Sequence, residues 1–355
     1  MGFTKVENAS EEALENSWRQ FAAENELNEA VVHIHGDVGN DLVWSASSGD
    51  TKPSQPYFLG ELSDMHMAGI LIKLKARGKV AFEDPIQKFL PDSLQNTIDP
   101  WSQGHVFQQI TVGQLLTHTS GLPDLFDATP DKLPSIRELM ITGKDGFVFL
   151  EKHLANVGTL KPFFSPVNAK KSAYSFTNTI LCQLVIEKVT GKLLETVFQE
   201  LQHRPLGFMQ TYLYADHHDR TPSNFYRSGK KLSLPQLMSC LGHAGSMVSC
   251  ASDQMAFIRA FFHGHLFPPE YSGLTHQWIP VNGTISRGIG LEEYCQKNFI
   301  NLFRRENPLR GLTSSTGAFS LYHPEKKLFF TGTTNQYQRP ELARTLVWKL
   351  AKAIP

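Results

Sequence analysis

Between Ser10 and Ala23, the apolar residues Ala13, Leu14, Trp18 and Phe21 fall on one side of a helical wheel. Glu11 and Glu12 favour its positive end, and Ser10 is placed to cap it. Two strand-like runs follow, Ala30 to His35 and Asp41 to Ala46, parted by a glycine-rich turn. After Gly60 the period becomes helical, with Met65, Ala68, Leu71 and Ile72 recurring on one face until Arg77-Gly78 closes the helix. From Pro85 to Leu241 helical stretches alternate with loops containing proline and glycine. From Ser286 the pattern returns to strands, Gly317 to Tyr322 and Leu328 to Thr334, joined by a turn at His323 to Lys327. Pro340 opens a last helix in which Leu342, Leu346 and Leu350 share a face. This order predicts an α/β (α+β) fold: an antiparallel sheet built from both chain ends and flanked by helices, with an inserted all-helical lobe. The expected organisation is a single domain over residues 1–355. Residues 1–84 and 246–355 form its α/β lobe and 85–245 its mainly helical lobe; no internal repeat interrupts it.

Composition narrows the function classes. With 41% hydrophobic and 19% charged residues, the 355-residue chain reads as a soluble globular protein. Its 34 lysines and arginines equal its 34 acidic residues, so no basic footprint for nucleic acid or an anionic membrane is expected. No apolar run of about 20 residues exists to span a bilayer. The first residues lack a secretory apolar core, and Val6 stands where a myristoylation motif after Met1-Gly2 needs Ser or Thr. A cytoplasmic location is the expectation. Cys182, Cys240, Cys250 and Cys295 are scattered, without C-x-x-C or zinc spacing, and read as buried free thiols. Neither metal nor cofactor is expected, and a small molecule is the expected partner.

Five segments in order resemble the class C β-lactamase and penicillin-binding-protein-like serine hydrolases. They are Ile110-Thr-Val-Gly-Gln-Leu-Leu-Thr-His-Thr-Ser-Gly-Leu-Pro-Asp124, Gly78 to Pro85 with Phe89-Leu-Pro91, Leu184 to Gly191, Ala244 to Ser249 with Ser252-Asp253, and Ser315 to Phe319 ending near Asn335. The resemblance covers nearly the whole chain. It implies a β-lactamase/transpeptidase-like fold and a site made from S-x-x-K at a helix start, Y-x-N in the helical lobe, and a K-T-G or H-x-G strand supplying an oxyanion amide.

Placing those motifs by the family's spacing shows what has been lost. Counting back from Pro85 puts Glu61 at the serine position and Asp64 at the lysine position. Counting from Thr190-Gly191 keeps Tyr174 but puts Phe176 at the asparagine. Counting from Ser315 puts Leu312-Thr313-Ser314 at the third triad. A carboxylate cannot form a serine acyl-enzyme, so ordinary β-lactamase or D,D-peptidase action is expected to be absent. The expected catalytic set is Glu61, Asp64 and Tyr174, with Phe176, Leu312, Thr313, Ser314 and Ser315 binding substrate.

Glu61 and Asp64, three apart, are expected to interact on one helix face so that one carboxyl pKa rises, while the amides of Glu61 and Ser315 receive developing charge. That chemistry suits a non-hydrolytic isomerase, cyclase or lyase acting on a small carbonyl-containing metabolite. Against it stands the plain reading that acidic residues in a first helical turn only favour the dipole. Two further alternatives stay open: an inactive ligand-binding pseudoenzyme, and a residual esterase or amidase using Ser63 with His66. The last needs a two-residue slip, which turns a helix by about 200 degrees. His118 and His243 read as hydrogen-bonding scaffold, and Asp124 and Asp253 as caps of helices or turns.

Overall fold

The computed structural model describes residues 3–101, 107–167, 170–297 and 305–354, so Met1 and Gly2 lie outside them. The first helix, α1 (Phe3–Glu24), begins before Ser10, which therefore sits within the helix and does not cap it. Strands β1 (Val31–Gly36) and β2 (Val43–Ser47) follow. The chain end supplies β3 (Ile279–Pro280), β4 (Ile285–Arg287), β5 (Glu292–Lys297), β6 (Arg305–Thr313), β7 (Ala318–His323) and β8 (Leu328–Thr333). These eight strands form one sheet in the order β2-β1-β8-β7-β6-β5-β4-β3, with every pairing antiparallel. Both chain ends meet where β1 pairs with β8, Val31 opposite Thr333.

Strand alternation sends neighbouring side chains to opposite faces of this sheet, and both faces are covered. Leu328 and Phe330 pack with Leu14, Trp18 and Phe21 of α1 and with Leu346, Val347 and Leu350 of the C-terminal helix (Pro340–Ala353). Phe329, between them in sequence, packs on the other face with Phe257 and Ile258 of the helix Ala251–Phe262. That second core runs on through the buried helix Ser63–Ala76 into the lobe made by helices such as Val112–Leu116 and Phe176–Thr190. The lobe is not purely helical: Phe225–Arg227 and Lys230–Leu232 form a short antiparallel hairpin within it. Among the cysteines, Cys182, Cys250 and Cys295 are buried and Cys240 is half-buried. No helix among the described residues is long and apolar enough to cross a membrane.

Candidate active site

The segment that carries Glu61 is a tight strand-to-helix junction. Tyr57–Phe58 pairs with Met247–Ser249, a short 3-10 turn covers Gly60–Leu62, and the helix starts at Ser63. Gly60 holds φ +54, and a Cβ there would lie 2.3 Å from the Ser314 hydroxyl oxygen, so only glycine lets the chain pass so close to the end of β6. This close approach decides where the Glu61 side chain goes. Ser314 Oγ donates to Glu61 Oε2 at 2.5 Å, and the Ser315 backbone N–H donates to the same oxygen at 3.0 Å. Glu61's own N–H donates to Ser314 Oγ at 3.3 Å.

The two amides expected to stabilise a developing oxyanion are thus already used within the chain, which corrects that expectation. All the protein donors to the Glu61 carboxylate converge on Oε2, and none of the described residues donates to Oε1.

Asp64 has its own set of partners. Thr179 Oγ1 donates to Oδ1 at 2.6 Å and His118 Nε2 to Oδ2 at 3.2 Å. His118 Nδ1 accepts from the Asn178 amide at 3.1 Å and from the Ser175 N–H at 3.2 Å, which assigns the ring proton to Nε2. His118 is held for this at φ +51, and its ring lies 4.7 Å from that of Tyr174. The expected direct coupling of Glu61 with Asp64 is therefore corrected: each carboxylate is bound to different donors, and no hydrogen bond joins the two groups among the described residues. His118 is the scaffold group expected, with the added task of orienting Asp64. The side chain of His243 lies outside the described residues.

Tyr174 stands between two cavities. One, of about 260 Å³, is lined by Glu61, Asp64, His118 and the strand end Leu312-Thr313, together with Ser315. The other, of about 300 Å³, is bounded by Phe176, Phe126, Tyr337 and Met238 and also touches Glu61 and Ser315. Burial, then the carboxylates of Asp64 and Glu61, hold the Tyr174 phenol well above the ordinary tyrosine range. At neutral pH it is a proton donor, not a base.

The remaining expected residues divide by position. Phe176 is buried against Phe126, with ring centres 4.9 Å apart, and forms an apolar wall. Leu312 and Thr313 line the first cavity, and Ser315 lines both. Ser314 is fully buried and lines neither, so it positions Glu61 from behind the cavity walls, a correction to its expected place among the substrate-binding residues.

Ser63 is only 1% exposed and lines neither cavity. Its hydroxyl has no hydrogen-bond partner. His66, its supposed base, is buried against Phe257 at 3.7 Å and bonds Gln202 and Gln254. The Ser63–His66 nucleophile is thereby overturned, because the slip in register turns both side chains into the core. Asp124 caps the turn at Leu125–Asp127 and also accepts from the Phe176 N–H, and Asp253 accepts from the Met209 and Gln210 N–H groups. Metal-ligating side chains among the described residues converge only at Asp216, His217 and His218, and none of these lines either cavity.

Two arginines of the first cavity were not anticipated. Arg287 is paired with Glu292, with Nη2 donating at 2.5 Å and Nε at 2.8 Å. Arg344, from the C-terminal helix, donates to Thr313 Oγ1 at 2.9 Å and lies 4.8 Å from the Tyr294 ring centre. Among the described residues no carboxylate is paired with Arg344. In the sequence it is one basic residue on an amphipathic helix, with nothing local to mark it.

Comparison with known proteins agrees with this fold. The Beta-lactamase family model matches residues 52–353. Penicillin-binding protein 4* of Bacillus subtilis (strain 168) is 27% identical over 187 residues, which are 50% of this chain and 36% of that protein. Among solved structures, a D-stereospecific amidohydrolase from Streptomyces sp. is similar with a TM-score of 0.73 and 23% identity, covering 98% of both chains. D-amino acid amidase from Ochrobactrum anthropi SV3 complexed with D-phenylalanine is similar with a TM-score of 0.76 and 17% identity, covering 99% of each. At these identities the structures speak for a shared fold.

Proposed function

The chain belongs to the β-lactamase family, and from that premise we propose that it performs non-covalent acid–base chemistry on a small carbonyl-containing metabolite. The observation that carries this is the position of the Tyr174 phenol, held protonated beside Glu61 and Asp64 and lining both cavities. In this reading Glu61 Oε1, the carboxylate oxygen without a protein donor, removes a proton next to the substrate carbonyl. Tyr174 gives its proton to the carbonyl oxygen in the same step. Return of the Glu61 proton to a different carbon, and of the oxygen proton to Tyr174, completes an isomerisation with atoms balanced. Arg344 and Thr313 supply a polar end for the substrate, and His118 with Thr179 orients the Asp64 carboxylate behind the phenol.

Hydrolysis through a serine acyl-enzyme does not fit this arrangement. In this reading Glu61 and Asp64 take the places of the nucleophile and the lysine, and the Ser315 amide is occupied by Glu61. That occupancy favours a second reading, binding without turnover, since a filled oxyanion site stabilises no developing charge.

The two separate on one experiment. A metabolite extract is incubated with the protein in deuterium oxide and followed by mass spectrometry. The acid–base reading expects metabolites that gain deuterium with the native chain and not with Glu61→Gln or Tyr174→Phe. Turnover unchanged in both variants overturns it, and ligand depletion without isotope exchange or product favours binding alone.

A further inference from the structure

We propose that the larger cavity receives a substituted ammonium group, the cationic end of a small organic ligand, held beside Glu61. This deepens the reading of the cleft as a ligand site, but it does not depend on turnover there.

The walls point to such a group first. Five aromatic side chains, Phe126, Phe163, Tyr174, Phe176 and Tyr337, border a space of about 300 Å³. Met140 and Met238 complete it with polarisable thioethers. Aromatic faces attract a cation through the ring quadrupole, and most strongly where water is excluded. Phe176 and Tyr337 are 5% and 4% exposed, so the inner wall is set back from bulk solvent.

Charge then separates a cation from a neutral apolar group. Among the described residues, the only cation lining the cavity is Arg137, and it is already shared by two carboxylates: Nη2 donates to Asp124 at 2.9 Å and Nε to Asp127. Glu61, which also lines the cavity, accepts only from Ser314 and Ser315 and has no cationic partner among the described residues. A half-buried carboxylate at the edge of an aromatic cavity carries an uncompensated charge, which a bound cation would offset. A purely apolar ligand would leave that charge as it is. An ammonium carrying methyl or larger alkyl groups satisfies both features, because it has no shell of strongly held water and presents apolar surface to the rings.

The test is calorimetric titration of the full chain with choline and with 3,3-dimethylbutan-1-ol, which has the same shape without the charge. Choline is expected to bind at least tenfold more tightly. Glu61→Gln should bring the two affinities together, and Phe176→Leu should weaken choline more than the alcohol, with circular dichroism confirming that both variants fold. Equal affinities in the native chain, no choline binding, or a preference that survives both substitutions would overturn the proposal. The titration needs no catalysis. A chain that never turns over a metabolite leaves this result standing, and failure here leaves the isotope-exchange experiment undecided on its own terms.

Discussion

The backbone N–H of Ser315 donates to Oε2 of Glu61 across 3.0 Å, so a side chain of the protein occupies the amide of a residue that lines both cavities. The bond depends on the close passage of Gly60 over Ser314, which brings the helix start and the end of β6 within reach of each other. An uncharged substrate carbonyl would have to displace a charge-assisted pair of hydrogen bonds to reach that amide, and such bonds contribute about 1.5–3 kcal/mol each.

Serine-directed reagents should therefore find no target. Incubation with a fluorophosphonate is expected to leave the intact mass unchanged, both for the native chain and for Ser63→Ala. An adduct on the native chain that disappears in Ser63→Ala would restore the hydrolytic nucleophile and remove the basis for acid–base chemistry.

Replacing Gly60 tests the junction itself. Gly60→Ala meets a left-handed backbone, which costs a residue with a Cβ about 1–2 kcal/mol, and its methyl collides with the Ser314 hydroxyl. The expected result is a stability loss of about 2 kcal/mol or more in urea unfolding, together with loss of whatever activity the native protein shows. A variant of native stability would mean that the Glu61–Ser314 contact is not fixed by the turn.

The Arg287–Glu292 pair makes a sharper energetic prediction. Both side chains are nearly buried, at 10% and 12% exposure, and the pair joins β4 to β5. Arg287→Ala leaves a desolvated carboxylate without its partner and should cost about 3–5 kcal/mol. The double substitution Arg287→Met with Glu292→Leu should cost clearly less, because no unpaired charge remains. Denaturant midpoints of the three chains decide it; equal losses in the single and double variants would show that the side chains matter only for their bulk.

Stability should fall on the acid side for a reason visible in the core. Burial lowers His33, His66 and His203 from 6.5 to about 4. Their folded-state pKa values lie below the unfolded ones, so the stabilisation of the neutral rings is complete above pH 6.5. It is lost as the pH falls from there through about 4, as the unfolded chain takes up protons that the folded one refuses. For the fully buried His66 this amounts to about 1–3 kcal/mol. Thermal midpoints are expected to drop steadily from pH 6.5 to 4, and His66→Gln should flatten the slope. A midpoint that holds level across that range would contradict the placement of these rings.

What could be read before folding, and what could not, divides on locality. The helix of Leu342, Leu346 and Leu350, the strand pair Gly317 to Tyr322 and Leu328 to Thr334, and the closure of a sheet by both chain ends were legible. Period and turn chemistry are properties of a few adjacent residues, and five motifs in order carry a fold. The positions of Glu61, Asp64 and Tyr174 around one cleft were likewise available from counting along those motifs.

Their chemistry was not. Whether two carboxylates three residues apart share a proton depends on which donors reach them first, and those donors are Ser314, Ser315, His118 and Thr179, residues 54 to 254 positions away in the chain. Ser63 and His66 looked reactive as a spacing and are core residues in fact, since a turn of the helix axis decides which side faces the cleft. Arg344 and the aromatic walls became visible only when the sheet and the helical lobe were brought together. Local pattern determines elements because backbone geometry repeats over short spans; the state of a side chain is set by its neighbours in space, and only the packed chain supplies those.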